Sequence, residues 1–362
     1  MNFSGSYAPD DVTFLLKRVH LAPTELAEKE RLIQSGERHY SEMIGMERAP
    51  TPAYLRVFHA GLEREKGRFA RDLLVLARHI ATTRRGPIVV VSLARAGTPV
   101  GVLVRRILRR MDRSVHHYSV SIIRDRGIDE TALRHLLARH SAEAIVFVDG
   151  WTGKGVIAGE LHAAVTAFNQ REGTCLDAGL YVVADLCGAA AFAASDEDYL
   201  IPSCVLGATV SGLVSRSILN DAVIGPGDFH GCLWLEELAP ADQSRWFVDQ
   251  VAAEVERQVR QVLTGPQDVS SDHRSRLRAR SETFLADMRM RFGVRDIHHV
   301  KPGVGEATRV LLRRVPDRLL LRDPSRADVA HLLLLAREKN TPIVIDPALP
   351  YTAAALIKEM DG

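Results

Sequence analysis

The segment that most constrains the fold is IVFVDGWTGKGVIAGEL, Ile145 to Leu161, where four consecutive apolar residues, a glycine-bearing turn and the start of a helix follow within seventeen residues. Ile145 to Val148 form the unbroken apolar run of a buried strand. That strand delivers Asp149 at its carboxyl end. Thr152 to Gly155 then turn into a helix, with backbone N–H groups facing the point where the helix dipole favours an anion. Taken alone, the same glycines equally fit an ordinary strand-to-helix turn in which they only supply backbone angles.

A second segment repeats the architecture. PIVVVSLARAGTPVGVLVRRIL, Pro87 to Leu108, is an apolar β-rich run that breaks at Ser92 into a small-residue turn and enters a helix with Pro99 in its first turn. Ala94, Ala96 and Gly97 allow close approach to the backbone, and Arg95 adds a permanent cation beside Thr98. Two such turns in one open α/β sheet lie at the crevice where these sheets bind ligands. The turn at Thr152, Gly153, Lys154 and Gly155 suits a sugar phosphate, and the turn at Ala94 to Thr98 suits a pyrophosphate.

Composition adds limits. With 362 residues, 46% of them hydrophobic and 25% charged, the chain can bury a large core and has room for two domains. MNFSGSYAPDD lacks the basic and apolar regions of a signal peptide, and no run approaches the roughly 20 apolar residues of a membrane span, so a cytoplasmic protein with no membrane partner is expected. The four cysteines, Cys175, Cys187, Cys204 and Cys232, have no CxxC spacing and read as buried thiols. A thiol nucleophile can find its histidine far away in sequence, so a protease stays open as an alternative, with His230 and Cys232 the nearest pair.

Charge is uneven. From His273 onward there are 17 Lys and Arg against 11 Asp and Glu, a net +6, which leaves −4 for the residues before it. TGPQDVSSDH, residues 264–273, reads as a linker. The basic tail beyond it alternates apparent strands (Arg318 to Leu321, Pro342 to Ile345) with helices, as a small α/β domain would. A positive face suits a phosphate backbone, although a solvated surface has the same composition.

SLARAGTPVG and VDGWTGKG resemble the pyrophosphate and 5′-phosphate loops of the type I phosphoribosyltransferases, with two departures: Gly150 replaces the usual second acidic residue, and the loop closes on Gly155 instead of Thr or Ser. The longer strings DDVTFLLK, EKERLIQSGERHYSEM, SGLVSRSIL and KPGVGEATRVLLRRVPDRLL are similar to the phosphoribosyltransferase-like family of tellurite-resistance and stress gene clusters. Some members of that family carry a Pelota-like RNA-binding domain, and some the label cysteine protease StiP.

The resemblance implies a three-layer α/β fold of phosphoribosyltransferase type, an open, mostly parallel sheet, followed by a small α/β domain. The expected boundaries are a helical extension at 1–84, the catalytic domain at 85–263, the linker at 264–273 and the Pelota-like domain at 274–362. It implies transfer of phosphoribose from 5-phosphoribosyl 1-pyrophosphate to a nitrogenous base. Asp149, Arg95 and Lys154 would be catalytic, and Mg²⁺ would meet Asp149 through the donor. Arg124 and Arg126 would close over the pyrophosphate, while Asp185, Ser211, Ser215 and Arg216, or Tyr40, Ser41 and Glu42, would meet the base. In the tail Lys301, Gly303, Gly305 and Arg309 would contact RNA. Type I relatives often dimerise, which leaves the oligomeric state open with a homodimer as one option. A silent nucleotide or RNA sensor using the same loops is the other alternative.

Overall fold

The computed structural model describes residues 3–259 and 271–359. In chain order, strands β1 (Thr13–Leu15) and β2 (Lys17–Arg18) lead through helix α1 (Leu26–Gln34) to the long helix α2 (Pro52–Thr83). The central alternation is β3 (Ile88–Ala94), α3 (Thr98–Arg110), β4 (Val115–Ile123), β5 (Gly127–Ile128), α4 (Glu130–Leu137), β6 (Ile145–Thr152), α5 (Val156–Glu172), β7 (Leu180–Asp185) and β8 (Phe192–Ser195). After β9 (Gly231–Cys232) and α6 (Ser244–Gln258), the C-terminal part runs α7 (Ser271–Phe292), β10 (Val300–Pro302), α8 (Val304–Arg313), β11 (Pro316–Leu321), α9 (Ala330–Glu338), β12 (Ile343–Ile345) and β13 (Ala353–Ile357).

The main sheet has the order β1-β4-β3-β6-β7-β8, every neighbouring pair parallel, with β5 as an antiparallel edge on β4. Its unbroken apolar strands follow from cover on both faces. Val90, Val146 and Val148 pack with Leu73 of α2 and Leu103 of α3. Their neighbours in sequence, Val89, Val91 and Phe147, pack with Leu133 of α4 and Leu161 of α5. The result is a three-layer, mostly parallel α/β fold. The C-terminal sheet is mixed, in the order β10-β13-β11-β12, with only β11 and β12 parallel.

Four details differ from expectation. Asp149 lies in the middle of β6, which runs on to Thr152 because Trp151 and Thr152 continue the ladder with Ala184 and Asp185 of β7. The N-terminal segment also supplies β1, an edge strand of the main sheet, and β2, which pairs with β9. In the expected linker, residues 271–273 open α7 and the others lie outside the described residues. Two arginines of the basic run on that helix bond inward, Arg278 to the Gly188 carbonyl at 3.3 Å and Arg280 to that of Leu186 at 3.2 Å.

The two sheets share one apolar core, since Val304, Val310, Leu319 and Leu332 of the C-terminal part join the cluster built on α2 and α3. A buried carboxylate fixes the join. Asp198 accepts N–H bonds from Val304 (2.8 Å) and Thr352 (2.7 Å), while its own carbonyl accepts from the Thr352 hydroxyl at 2.6 Å. Burial pushes its carboxyl up to about 6 even though these amides favour the charged form. Among the described residues no helix is long and apolar enough to cross a membrane.

Candidate functional site

Between the two parts lies a cleft of about 670 Å³, floored by Asp149 and the Thr152–Gly155 turn and walled by Lys301, Glu306, Arg309 and Arg313 of the C-terminal part. The turn is shaped by its own residues. Gly155 sits at φ +79° as the cap of α5, where a side chain is strained, and its N–H donates to Thr152 Oγ1 at 3.0 Å. No side chain caps the helix, so its amino end faces the cleft.

The walls carry more cations than carboxylates. Arg124, Lys154, Arg295, Lys301, Arg309, Arg313 and Arg314 line the cleft against four carboxylates, Asp149, Asp296, Glu306 and Glu359. Most of these charges are already matched: Arg295 pairs with Glu359, Arg309 with Glu306, Arg314 with Glu30 and Arg124 with Asp125, while Lys301 stands 3.9 Å from Glu306. Arg313 forms no hydrogen bond or ion pair among the described residues, and burial beside Arg95 lowers its guanidinium to about 9. Burial also pushes Asp149 up to about 6, and its Oδ1 accepts the Gly150 N–H at 2.7 Å. The Glu306 carboxyl is raised by burial, but Arg309 and Lys301 outweigh that and hold it below the ordinary carboxylate range.

Lys154 is in the cleft, but its ammonium is engaged, donating to the carbonyls of Ile297 (2.6 Å) and Val300 (2.9 Å) across the join. Burial lowers it to about 7. Arg309 lies 4.3 Å from the centroid of the Trp151 ring and bonds Glu306 at 2.7 Å. Arg124 lies over Tyr40 at 5.4 Å, and its backbone N–H donates to the Tyr40 hydroxyl at 2.8 Å.

The turn at Ala94 to Thr98 is used differently. Arg95 is only 4% exposed, and its guanidinium is held by Glu47 (2.6 Å) and the Val214 carbonyl (2.8 Å), so it does not line the cleft with Lys154. The amides of Gly97 and Thr98 bond back to the carbonyls of Leu93 and Arg95, and Thr98 Oγ1 meets Ser119 Oγ at 2.8 Å. Ala94 and Ala96 are half-buried in this closed turn. Arg126 is half exposed, its nearest acid being Glu42 at 3.7 Å. Asp185 caps its own loop by accepting N–H bonds from Cys187, Gly188 and Ala190. Ser215 bonds the Arg216 carbonyl and the Leu233 amide, and Ser211 is buried in a turn. Arg216 donates to the Met43 carbonyl.

In the tail, Lys301 and Arg309 face the cleft, whereas Gly303 and Gly305 serve the join. A Cβ on Gly305 would come within 2.4 Å of the Trp151 ring, and one on Gly303 within 2.5 Å of Leu186. Sequence reasoning missed Trp151, Arg313 and Arg314. The arginine pair was visible in VLLRRV, but only the packing of α8 turns it toward the cleft.

No thiol sits in a nucleophile's environment among the described residues. Cys187 lies against the turn, its sulfur 3.4 Å from Asp185 Oδ1, and burial with that neighbouring acid raises the thiol strongly. Burial pushes Cys204 and Cys232 each up to about 12. Exposed Cys175 has Glu143 3.6 Å away, which also raises it. The ring of His230, the histidine nearest Cys232 in sequence, instead meets Ser121 Oγ at 2.8 Å.

Residues 5–252 match the model of the family described as tellurite-like stress resistance cysteine protease StiP. A protein of Acinetobacter baylyi named "Cysteine protease StiP" is 40% identical over 370 residues, spanning 99% of this chain and 95% of the relative. The chain belongs to the StiP family. Residues 279–359 of this StiP-family chain match a second model, the PELOTA RNA binding domain. Among solved structures, the hypoxanthine phosphoribosyltransferase of Trypanosoma cruzi covers 36% of this chain and 77% of its own at 14% identity and a TM-score of 0.27. The same enzyme in complex with IMP covers 38% and 78% at 14% identity and a TM-score of 0.26, and a likeness that low carries no argument.

These findings correct the functional expectation. A near full-length relative of the StiP family is named a cysteine protease, a hydrolase, so phosphoribosyl transfer is withdrawn. With it go 5-phosphoribosyl 1-pyrophosphate and a nitrogenous base as partners. The position of Arg95, neutralised by Glu47 outside the cleft that holds Lys154, agrees with that correction.

Proposed function

We propose that this chain is an RNA-binding member of the StiP family whose cleft takes a phosphate group of the nucleic acid. The observation that carries this reading is the excess of cations from both parts around one cavity, Arg313 among them with no ion pair among the described residues. Charges taken out of water and left unmatched are costly, and an anion relieves that cost. The amino end of α5 adds the dipole that favours phosphate. The match of residues 279–359 to an RNA-binding domain supplies the polymer. Asp149 is the carboxylate that a magnesium ion carried by the phosphate would meet. A cytoplasmic setting suits the four free thiols.

The test is binding of a short single-stranded RNA by the full chain across a salt series. Lys301→Met and Arg309→Met are each expected to weaken binding and to lower the salt slope by about 1. A slope unchanged in both variants rejects the cleft as the phosphate site.

The relative's name supports a second reading, a thiol-dependent hydrolase; none of the four thiols has a nucleophile's surroundings among the described residues, and Cys187 is the one packed against the Thr152–Gly155 turn. Cys187 lies under the cleft's floor, and a Cβ on Gly155 would be 3.4 Å from its sulfur. On this reading Cys187→Ala abolishes peptide hydrolysis and leaves RNA binding intact. Hydrolysis that survives in Cys187→Ala rejects Cys187 as the nucleophile.

A further inference from the structure

A second chamber of about 590 Å³ adjoins the first, and the two share Ile33, Tyr40, Arg313 and Arg314 as common wall. It is also cationic. Lys29, from α1, lines it while only 6% exposed, and its ammonium has no hydrogen bond or ion pair among the described residues. Burial lowers that ammonium to about 8, with nearby Arg216 adding to the effect and Glu30 opposing it. Arg216 lines the same chamber with its Nη1 buried and unbonded. Of the opposing carboxylates, Glu47 is committed to Arg95 and to the Ala208 N–H, which leaves Glu25 and Glu338. Tyr40 joins the chambers, with Arg124 5.4 Å and Arg216 5.5 Å from its ring centroid.

A lysine buried with no partner is a standing cost to the fold unless something else uses it. We propose that the second chamber is a second anion subsite, so that the cleft takes a phosphodiester chain with at least two phosphates, one in each chamber, in preference to a mononucleotide. Arg313 and Arg314, at the shared wall, lie between the two phosphates. This rests on the phosphate reading of the first chamber, and it narrows the ligand to an oligonucleotide segment.

The experiment is calorimetric titration of the full chain with a 5′-phosphorylated dinucleotide and with the matching 5′-mononucleotide at one salt concentration. The dinucleotide is expected to bind about tenfold more tightly. Lys29→Met is expected to remove that advantage while leaving mononucleotide affinity within about twofold, and Lys29→Arg to keep it. Lys29→Met should also raise the Tm, because an unmatched buried charge is lost; a lower Tm overturns the claim that the ammonium lacks a partner. Equal affinities for the two ligands, or a Lys29→Met effect on both alike, overturns the proposal. So does tighter binding of pyrophosphate than of the dinucleotide. If the mononucleotide does not bind but inorganic phosphate binds in a Lys29-dependent way, the first-chamber reading fails and the second subsite stands.

Discussion

The turn at Thr152–Gly155 and the turn at Gly303 share a plan, each running a strand through a glycine of positive φ into a helix, yet the fold puts them to different uses. Gly155 (φ +79°) opens α5 beside the cavity, and its N–H is taken only by the nearby Thr152 hydroxyl. Gly303 (φ +90°) opens α8 inside the join, where its N–H goes to the Ala353 carbonyl and the next one to Asp198. Amides already bonded to protein carbonyls and carboxylates are not available to a phosphate. The same local pattern therefore makes a cleft-facing end in one place and a docking peg in the other, and the difference lies in what packs against it.

The sharpest way to break the comparison is Gly305→Ala. The new methyl would meet the Trp151 ring at 2.4 Å, and that ring is held under Arg309. We expect a loss of about 3 kcal/mol in urea unfolding; wild-type stability would show that the second turn is not a peg. Asp198→Ala removes the acceptor of the Val304 and Thr352 amides and should cost about 2 kcal/mol, read the same way.

A pH series sharpens the point. The carboxyls of Asp198, Asp149 and Asp72 are each raised from an ordinary 3.8 to about 6, chiefly by burial. The folded chain thus holds more protons than the unfolded chain between those values, so these groups make stability fall as pH rises from about 4 to about 6. Asp198→Asn should flatten the decline relative to wild type by on the order of 2 kcal/mol over that window, measured by urea unfolding at each pH. A parallel profile in the variant would mean that Asp198 titrates normally. The smallest effect belongs to the first turn: Thr152→Val removes the acceptor of the Gly155 N–H and should cost about 1 kcal/mol. RNA affinity should fall with it if that turn faces the ligand.

Much of the central sheet was legible in the chain. The apolar runs of β3 and β6 are continuous because helices cover both faces. The site was legible only as turns. Thr152 to Gly155 could be marked as an anion-facing helix start, but nothing in SLARAGTPVG shows that Glu47, far away in sequence, neutralises Arg95. Nor does KPGVGEATR show that its glycines lie against Trp151 and Leu186.

Local periodicity and turn chemistry determined the main strands and helices of an open α/β sheet, because these depend on residues a few positions apart, and the three-layer class came with the family resemblance. The tertiary structure decided which cations are matched and which are left over. Charge pairing and burial are set by distances across the fold, and Lys154 bound to the carbonyls of Ile297 and Val300, with Arg313 lining the same cavity without an ion pair among the described residues, arises only once the two parts have closed on each other.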